Sequence, residues 1–170
     1  MPFDHNGNFT EFLIERQLMS NWCWAACTKS VCEFYGTNPG ITQKRLVATA
    51  LKLPACNTTR FFPACNKGFD LGISLDFVGH LQGDPVNSSL SENDVAVALK
   101  RGIIGCQLDV PSIGGHAVLI ISGRRDPSGS LFVHVADPSD ASILTMSYLK
   151  LRNNFRGLGG RWIRSYFTKS

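Results

Sequence analysis

A glutamine, five intervening residues, then a cysteine and a tryptophan stand out in Gln17-Leu18-Met19-Ser20-Asn21-Trp22-Cys23-Trp24-Ala25-Ala26-Cys27. The residues after the cysteine favour helix. Ala25 and Ala26 are strong helix formers, Ser20 and Asn21 are preferred capping types just upstream, and Cys27, Val31 and Phe34 or Tyr35 share one face before Gly36 closes the element. The spacing predicts a helix from Cys23 to about Tyr35 with the thiol in its first turn. There the unpaired N–H groups and the positive end of the helix dipole point at the sulfur. That setting favours a thiolate, the nucleophilic form of cysteine. Gln17 lies where the incoming loop can fold back, so that its side-chain amide joins the Cys23 backbone N–H in holding a developing oxyanion. A cysteine alone is more often an inert apolar filler, so the assignment rests on finding its partners.

A base must come from four histidines. His5 lies in the leading arm, His80 near a helix end and His134 in mid-strand. His116 follows Ser112-Ile113-Gly114-Gly115 and opens an apolar strand, His116 to Ser122, where a side chain is readily offered at a cleft. A turn-rich link, Gly123 to Gly129, leads to a second strand, Leu131 to Ala136. Pairing around Asp126–Ser128 sets His116 across from Asp137 or the residue or two after it, within reach of a cross-strand contact. Asp137 would then accept from one ring nitrogen, fix the tautomer and leave the other nitrogen to Cys23, the nucleophile–base–orienter logic of acyl transfer. Asp137-Pro138-Ser139-Asp140 also reads as a turn, and a shifted register would put Asp140 in the same role.

The elements that must position these groups read as helices first and strands after. Thr42 caps a helix from Gln43 to about Leu51. Residues 54–69 form a loop carrying Cys56 and Cys65, where a local disulfide and two reduced thiols are both open readings. A short helix spans Asp70 to Leu81. Ser91-Glu92-Asn93-Asp94 is a capping-box-like start to a helix reaching about Lys100. Strands follow at Ile103–Val110, 116–122, 131–136 and 143–145, then a short helix from Ser147 to about Asn153 and a strand from Trp162 to Thr168. The class is α+β, a helical half carrying Cys23 against an antiparallel sheet half, with a cleft between them.

The chain has 170 residues, 44% hydrophobic and 18% charged, enough for a single domain spanning 1–170 with residues 1–16 as a leading arm. The net charge of +4 is spread without a basic run, except the short Arg124-Arg125 and the C-terminal arginines, and without a nucleic-acid motif, so no nucleic-acid partner is expected. No apolar run reaches membrane-helix length, and the first twenty residues have no signal-peptide core. Six cysteines are present without a CxxC pair, which argues against a zinc ribbon; no metal or cofactor is expected.

With Gln17, Cys23-Trp24, Gly115-His116-Ala117-Val118 and Asp137-Pro138 in place, the chain resembles the papain-like cysteine peptidases from about Gln17 onward. The Gln-to-Cys-Trp spacing is papain-like. The Gly-His strand and the later Asp-Pro are more similar to bacterial branches, the double-glycine leader peptidases and the effector proteases that bacteria inject into other cells. The resemblance implies Cys23 as nucleophile, His116 as general base and acid, Asp137 as orienter (papain has Asn there) and Gln17 as oxyanion donor. It implies a protein substrate, with cleavage after Gly-Gly by analogy with the leader peptidases. Trp22 replaces a small residue before the nucleophile, which predicts a narrowed cleft. The chain's own Leu158-Gly159-Gly160 is more simply a tight turn. A peptidase domain with neither secretion signal nor pro-segment needs control, so an effector or toxin is expected, delivered by a specialised secretion system to a target-cell cytoplasm and held off by a cognate inhibitor. The competing readings are a glutamine deamidase or acyltransferase using the same three residues, and a non-catalytic binding module of the same fold.

Overall fold

The computed structural model describes residues 12–170; His5 and most of the leading arm lie outside the described residues. Helix α1 (Cys23–Phe34) is followed by α2 (Gln43–Leu51), two single 3₁₀ turns (Pro54–Asn57 and Pro63–Cys65), α3 (Leu71–Phe77) and α4 (Glu92–Ala98). Strands β1 (Ile104–Val110), β2 (Gly114–Arg125), β3 (Leu131–Asp137) and β4 (Ser142–Ser147) come next, then α5 (Tyr148–Asn153) and β5 (Arg161–Phe167). The strands form one antiparallel sheet in the order β4-β3-β2-β1-β5.

The sheet is covered on both faces, which explains why β2 reads as an unbroken apolar run rather than an alternating one. Val118 and Ile120 join Ile104, Cys106 and Leu108 of β1 in one core, closed by Val95 of α4 and by Tyr148 and Leu151 of α5. Ala117, Leu119 and Ile121 point the other way, onto Cys27 and Val31 of α1 and Leu71 and Leu75 of α3. The α+β class and the packing of α1 on the antiparallel sheet are as the sequence predicts. Helices α4 and α5 pack behind the sheet, and α1 lies across its front.

Local chemistry explains most element starts. Thr42 caps α2 by accepting from the Arg45 N–H, Ser91 caps α4 through Asp94, and Asp70 caps α3 through Ile73. Helix α3 ends at Phe77, short of Leu81, because Gly79 turns the chain at φ +80°. The start of α1 departs from the expected pattern. Its N-cap is Trp22, and no side chain caps it. The polar residues upstream are used elsewhere: the Asn21 N–H donates to Asn66 Oδ1, Asn21 Nδ2 to the Asn66 carbonyl, and Asn66 Nδ2 to Ser20 Oγ.

Two tryptophans extend this zipper. Trp22 Nε1 donates to the Cys65 carbonyl at 2.7 Å and Trp24 Nε1 to the Lys67 carbonyl at 3.1 Å. Both rings are buried in a third core with Leu46, Val47, Cys56 and Cys65. Trp22 thus does not narrow a cleft. It turns away from the front of the molecule and fastens the segment before Cys23 to the cysteine-bearing loop. That loop is closed by a disulfide between Cys56 and Cys65. Replacing both cysteines by serine should cost about 2–3 kcal/mol of stability, read as a lower midpoint in urea unfolding; an unchanged midpoint would show that the loop is held by its tryptophan contacts alone.

Candidate active site

The front end of β2, the end of β3 and the start of α1 meet at one place. Cys23 is the first residue of α1 and 8% exposed. Because no side chain caps this helix, its leading N–H groups are left to whatever lies beside the thiol. His116, nearly buried on β2, hydrogen-bonds Asp137 Oδ1 through Nε2 at 2.8 Å, and Cys23 is near enough to raise its pKa. With Nε2 committed to the carboxylate, Nδ1 is the ring atom left for the sulfur. Burial pulls the His116 pKa down, but the hydrogen bonds and charges of Asp137 and Cys23 outweigh it and lift it to about 9. Burial likewise raises Asp137, while His116 and the Ser139 N–H, which donates to Oδ1 at 2.9 Å, bring it down to about 2.

The β2–β3 register decides which carboxylate His116 meets. Near the turn the pairs run Arg125↔Leu131 to Ser122↔His134. Continued without interruption, that register would set His116 level with Asp140. A bulge at Ile121 shifts the ladder to Ile120↔Val135 and Leu119↔Ala136. Beyond the last pair, His116 is now level with Ser139, and Asp137, two residues back, lies diagonally across on the same face. Asp140 is bound instead by Arg156, through Nη2 at 2.9 Å to both carboxylate oxygens.

Gln17 sits beside this group, but its amide is occupied. Nε2 donates to the Met19 carbonyl at 3.1 Å and to the Ser20 carbonyl at 2.7 Å, and Oε1 is buried without a hydrogen bond. Its backbone N–H donates to the Pro138 carbonyl at 2.8 Å, tying the loop before α1 to the residue after Asp137.

The other chemistry-bearing residues lie elsewhere. Cys27 donates from Sγ to the Ala117 carbonyl, and burial raises its pKa well above the ordinary thiol value. Cys106 and Cys32 are also raised by burial. His80 is buried between the Lys169 carbonyl and Thr37 Oγ1 and stacks on Tyr35, and His134 pairs with Thr145 on the sheet. The motif reading missed Arg156, which reaches Asp137 from the turn after α5; a lone arginine among glycines gave no chemical signal.

The comparisons with known proteins follow the same lines. Two crystal structures of the Amb a 11 cysteine protease, a major ragweed pollen allergen, in its proform share the fold, with TM-scores of 0.52 and 0.50 at 12% sequence identity. The matches cover 93% and 92% of this chain but 63% and 62% of theirs, so the chain spans about three-fifths of the length of these solved structures. The architecture is that of a papain-like cysteine protease. Residues 8–156 match the family described as papain-like cysteine protease AvrRpt2, and the chain belongs to that family. No curated protein sequence matches it.

The shifted groups give a pH signature. His116 titrates at about 9 in the folded chain against an ordinary 6.5, so its stabilising effect is complete below pH 6.5 and disappears as pH rises through about 9. Asp137 contributes fully above its ordinary 3.8 and loses its effect as pH falls through about 2. Asp137→Asn should therefore flatten the fall in stability between pH 6.5 and 9 in urea unfolding. The same slope in wild type and variant would show that this pair is not its source.

Proposed function

We propose that the chain hydrolyses peptide bonds in protein substrates through a thioester on Cys23. The observation that carries this reading is His116, hydrogen-bonded to a buried carboxylate and electrostatically coupled to a cysteine at an uncapped helix start. In the proposed cycle His116 holds the proton of the Cys23 thiol, and the sulfur attacks the substrate carbonyl. The imidazolium then protonates the leaving amine, and water, deprotonated by His116, cleaves the thioester. Asp137 keeps the ring in one tautomer throughout.

The oxyanion is held by the Cys23 N–H and the Gln17 amide, which must exchange one of its bonds to Met19 or Ser20 for the substrate oxygen. Cleavage after Gly-Gly is the preference carried over from the likeness to leader peptidases. The chain's own glycine pair supports nothing here, since Gly160 closes a turn by accepting from the Phe155 N–H.

The AvrRpt2 family name suggests an effector role for 1–170 as one peptidase domain; delivery into a target cell and restraint by a cognate inhibitor are part of the proposal. The deamidase and acyltransferase readings use the same thioester and differ in substrate and acceptor.

Mass spectrometry of a proteome incubated with the chain separates these readings. New protein termini made by wild type and absent with Cys23→Ala identify a peptidase, and the residues preceding them test Gly-Gly. Mass gains of about one unit on glutamines, without new termini, would replace peptidase by deamidase. On a substrate so found, Gln17→Ala should lower the rate about 10²–10³-fold; a change of less than tenfold would remove Gln17 from the oxyanion site.

A further inference from the structure

The proposed reading leaves half of the Asp137 carboxylate unexplained. Oδ1 is doubly used, by His116 Nε2 and the Ser139 N–H. Among the described residues Oδ2 is buried without a hydrogen-bond partner, an arrangement that is costly for an ionised carboxylate in a residue 1% exposed. What faces it is a charge: Arg156 Nε lies 2.8 Å away, an ion pair without hydrogen-bond alignment.

Arg156 has further partners on its Nη2 side. Nη2 binds both oxygens of Asp140 and Ser142 Oγ, each at 2.9 Å, and Asp140 is braced in turn by the Ser142 N–H and hydroxyl. The guanidinium carbon is 5.9 Å from the centre of the Phe155 ring, and that buried ring is 6.2 Å from the ring of His116. The backbone of Arg156 is left-handed at φ +52°, inside a turn closed between Phe155 and Gly160. Glycine is demanded at 160, because an added Cβ would come within 2.9 Å of Val110 Cγ2. The turn thus spends an unfavoured conformation and a steric constraint on aiming one arginine.

We propose that Arg156 is a positioning residue for the Cys23–His116–Asp137 group: it holds Asp137 Oδ2 from behind, so that Oδ1 faces His116, and shares the carboxylate's charge between imidazolium and guanidinium. This rests on the peptidase reading given above. The groups bearing directly on the His116 ring are Cys23 from α1 and Asp137 from β3. Arg156 and Asp140 act on it through Asp137. A planar fork suits the task, since it spans two carboxylates at once while a lysine ammonium cannot. The direction of the effect follows from the charges. With Arg156 present, part of the Asp137 charge is answered by the guanidinium, and His116 keeps its proton less tightly than it would beside an unshared carboxylate.

NMR titration of the ¹⁵N-labelled His116 ring in the full chain tests this without a substrate. Wild type should titrate near pH 9; a midpoint near the ordinary 6.5 would overturn the Cys23–His116–Asp137 reading itself. Given the high midpoint, Arg156→Gln should raise it by about one unit. Arg156→Lys, which keeps the charge but not the fork, should raise it by less than Arg156→Gln does. Asp140→Asn, at a half-exposed side chain where folding is not at risk, removes the competing anion and should lower the midpoint. An arginine that only braced the turn would lower the melting temperature in these variants and leave the ring titration in place, and that outcome overturns the proposal. Should Arg156→Gln not fold, the sign of the Asp140→Asn shift decides alone.

Discussion

The site depends on the one extra residue in β2. A strand presents its side chains alternately, so a slip of one position exchanges every side chain between faces. The bulge at Ile121 makes that slip once, between the turn and the front end of the sheet. On the turn side of it, His116 belongs with Asp140; beyond it, with Asp137. The difference is chemical as well as geometric. Asp137 is buried and offers Oδ1 to the His116 ring, whereas Asp140 is half exposed and pairs with Arg156 through both oxygens. A bulge next to a reactive group, re-aiming a side chain, is a common use of that defect.

The second constraint acts on the Cys23 side. Cys23 needs a fixed position at a helix start that no side chain has capped, and the sequence around it serves that need. Ser20, Asn21, Trp22 and Trp24 are all tied to Cys65–Lys67, and the disulfide fixes the loop that receives them. The cost is a helix without an N-cap, ordinarily about 1 kcal/mol. Burial of two tryptophans and two well-formed indole hydrogen bonds offsets this.

Much of the fold was legible because its signals are local. Thr42, Asp70 and Ser91 lie at helix starts as their side-chain chemistry requires, and the switch from helical to strand-like periodicity falls where β1 begins. The glycine-histidine strand start and the helix opening at Cys23 could be read for the same reason. The features that escaped are those set by distant partners. Ser20 and Asn21 have capping propensity, but their bonding partner is Asn66, and a long-range zipper outcompetes a local preference. The bulge at Ile121 is silent because β2 is apolar on both faces, so the alternation that would have marked a slip is missing. Arg156 gains its meaning only when the turn after α5 is folded against the end of β3. The hold of the Met19 and Ser20 carbonyls on the Gln17 amide is, by contrast, a local contact that the spacing to Cys23 does not signal.

The backbone bond from Gln17 to Pro138 joins the segment leading into α1 to the turn that leaves β3. Its two ends are made at very different times. As the chain leaves the ribosome, Cys23 emerges early and can begin its helix, while the histidine, the carboxylate and the arginine behind it are still to be synthesised. Until the sheet has formed and this stitch has closed, Cys23 lies apart from His116 and Asp137. The architecture therefore brings the three groups together only once the last strands have folded against α1.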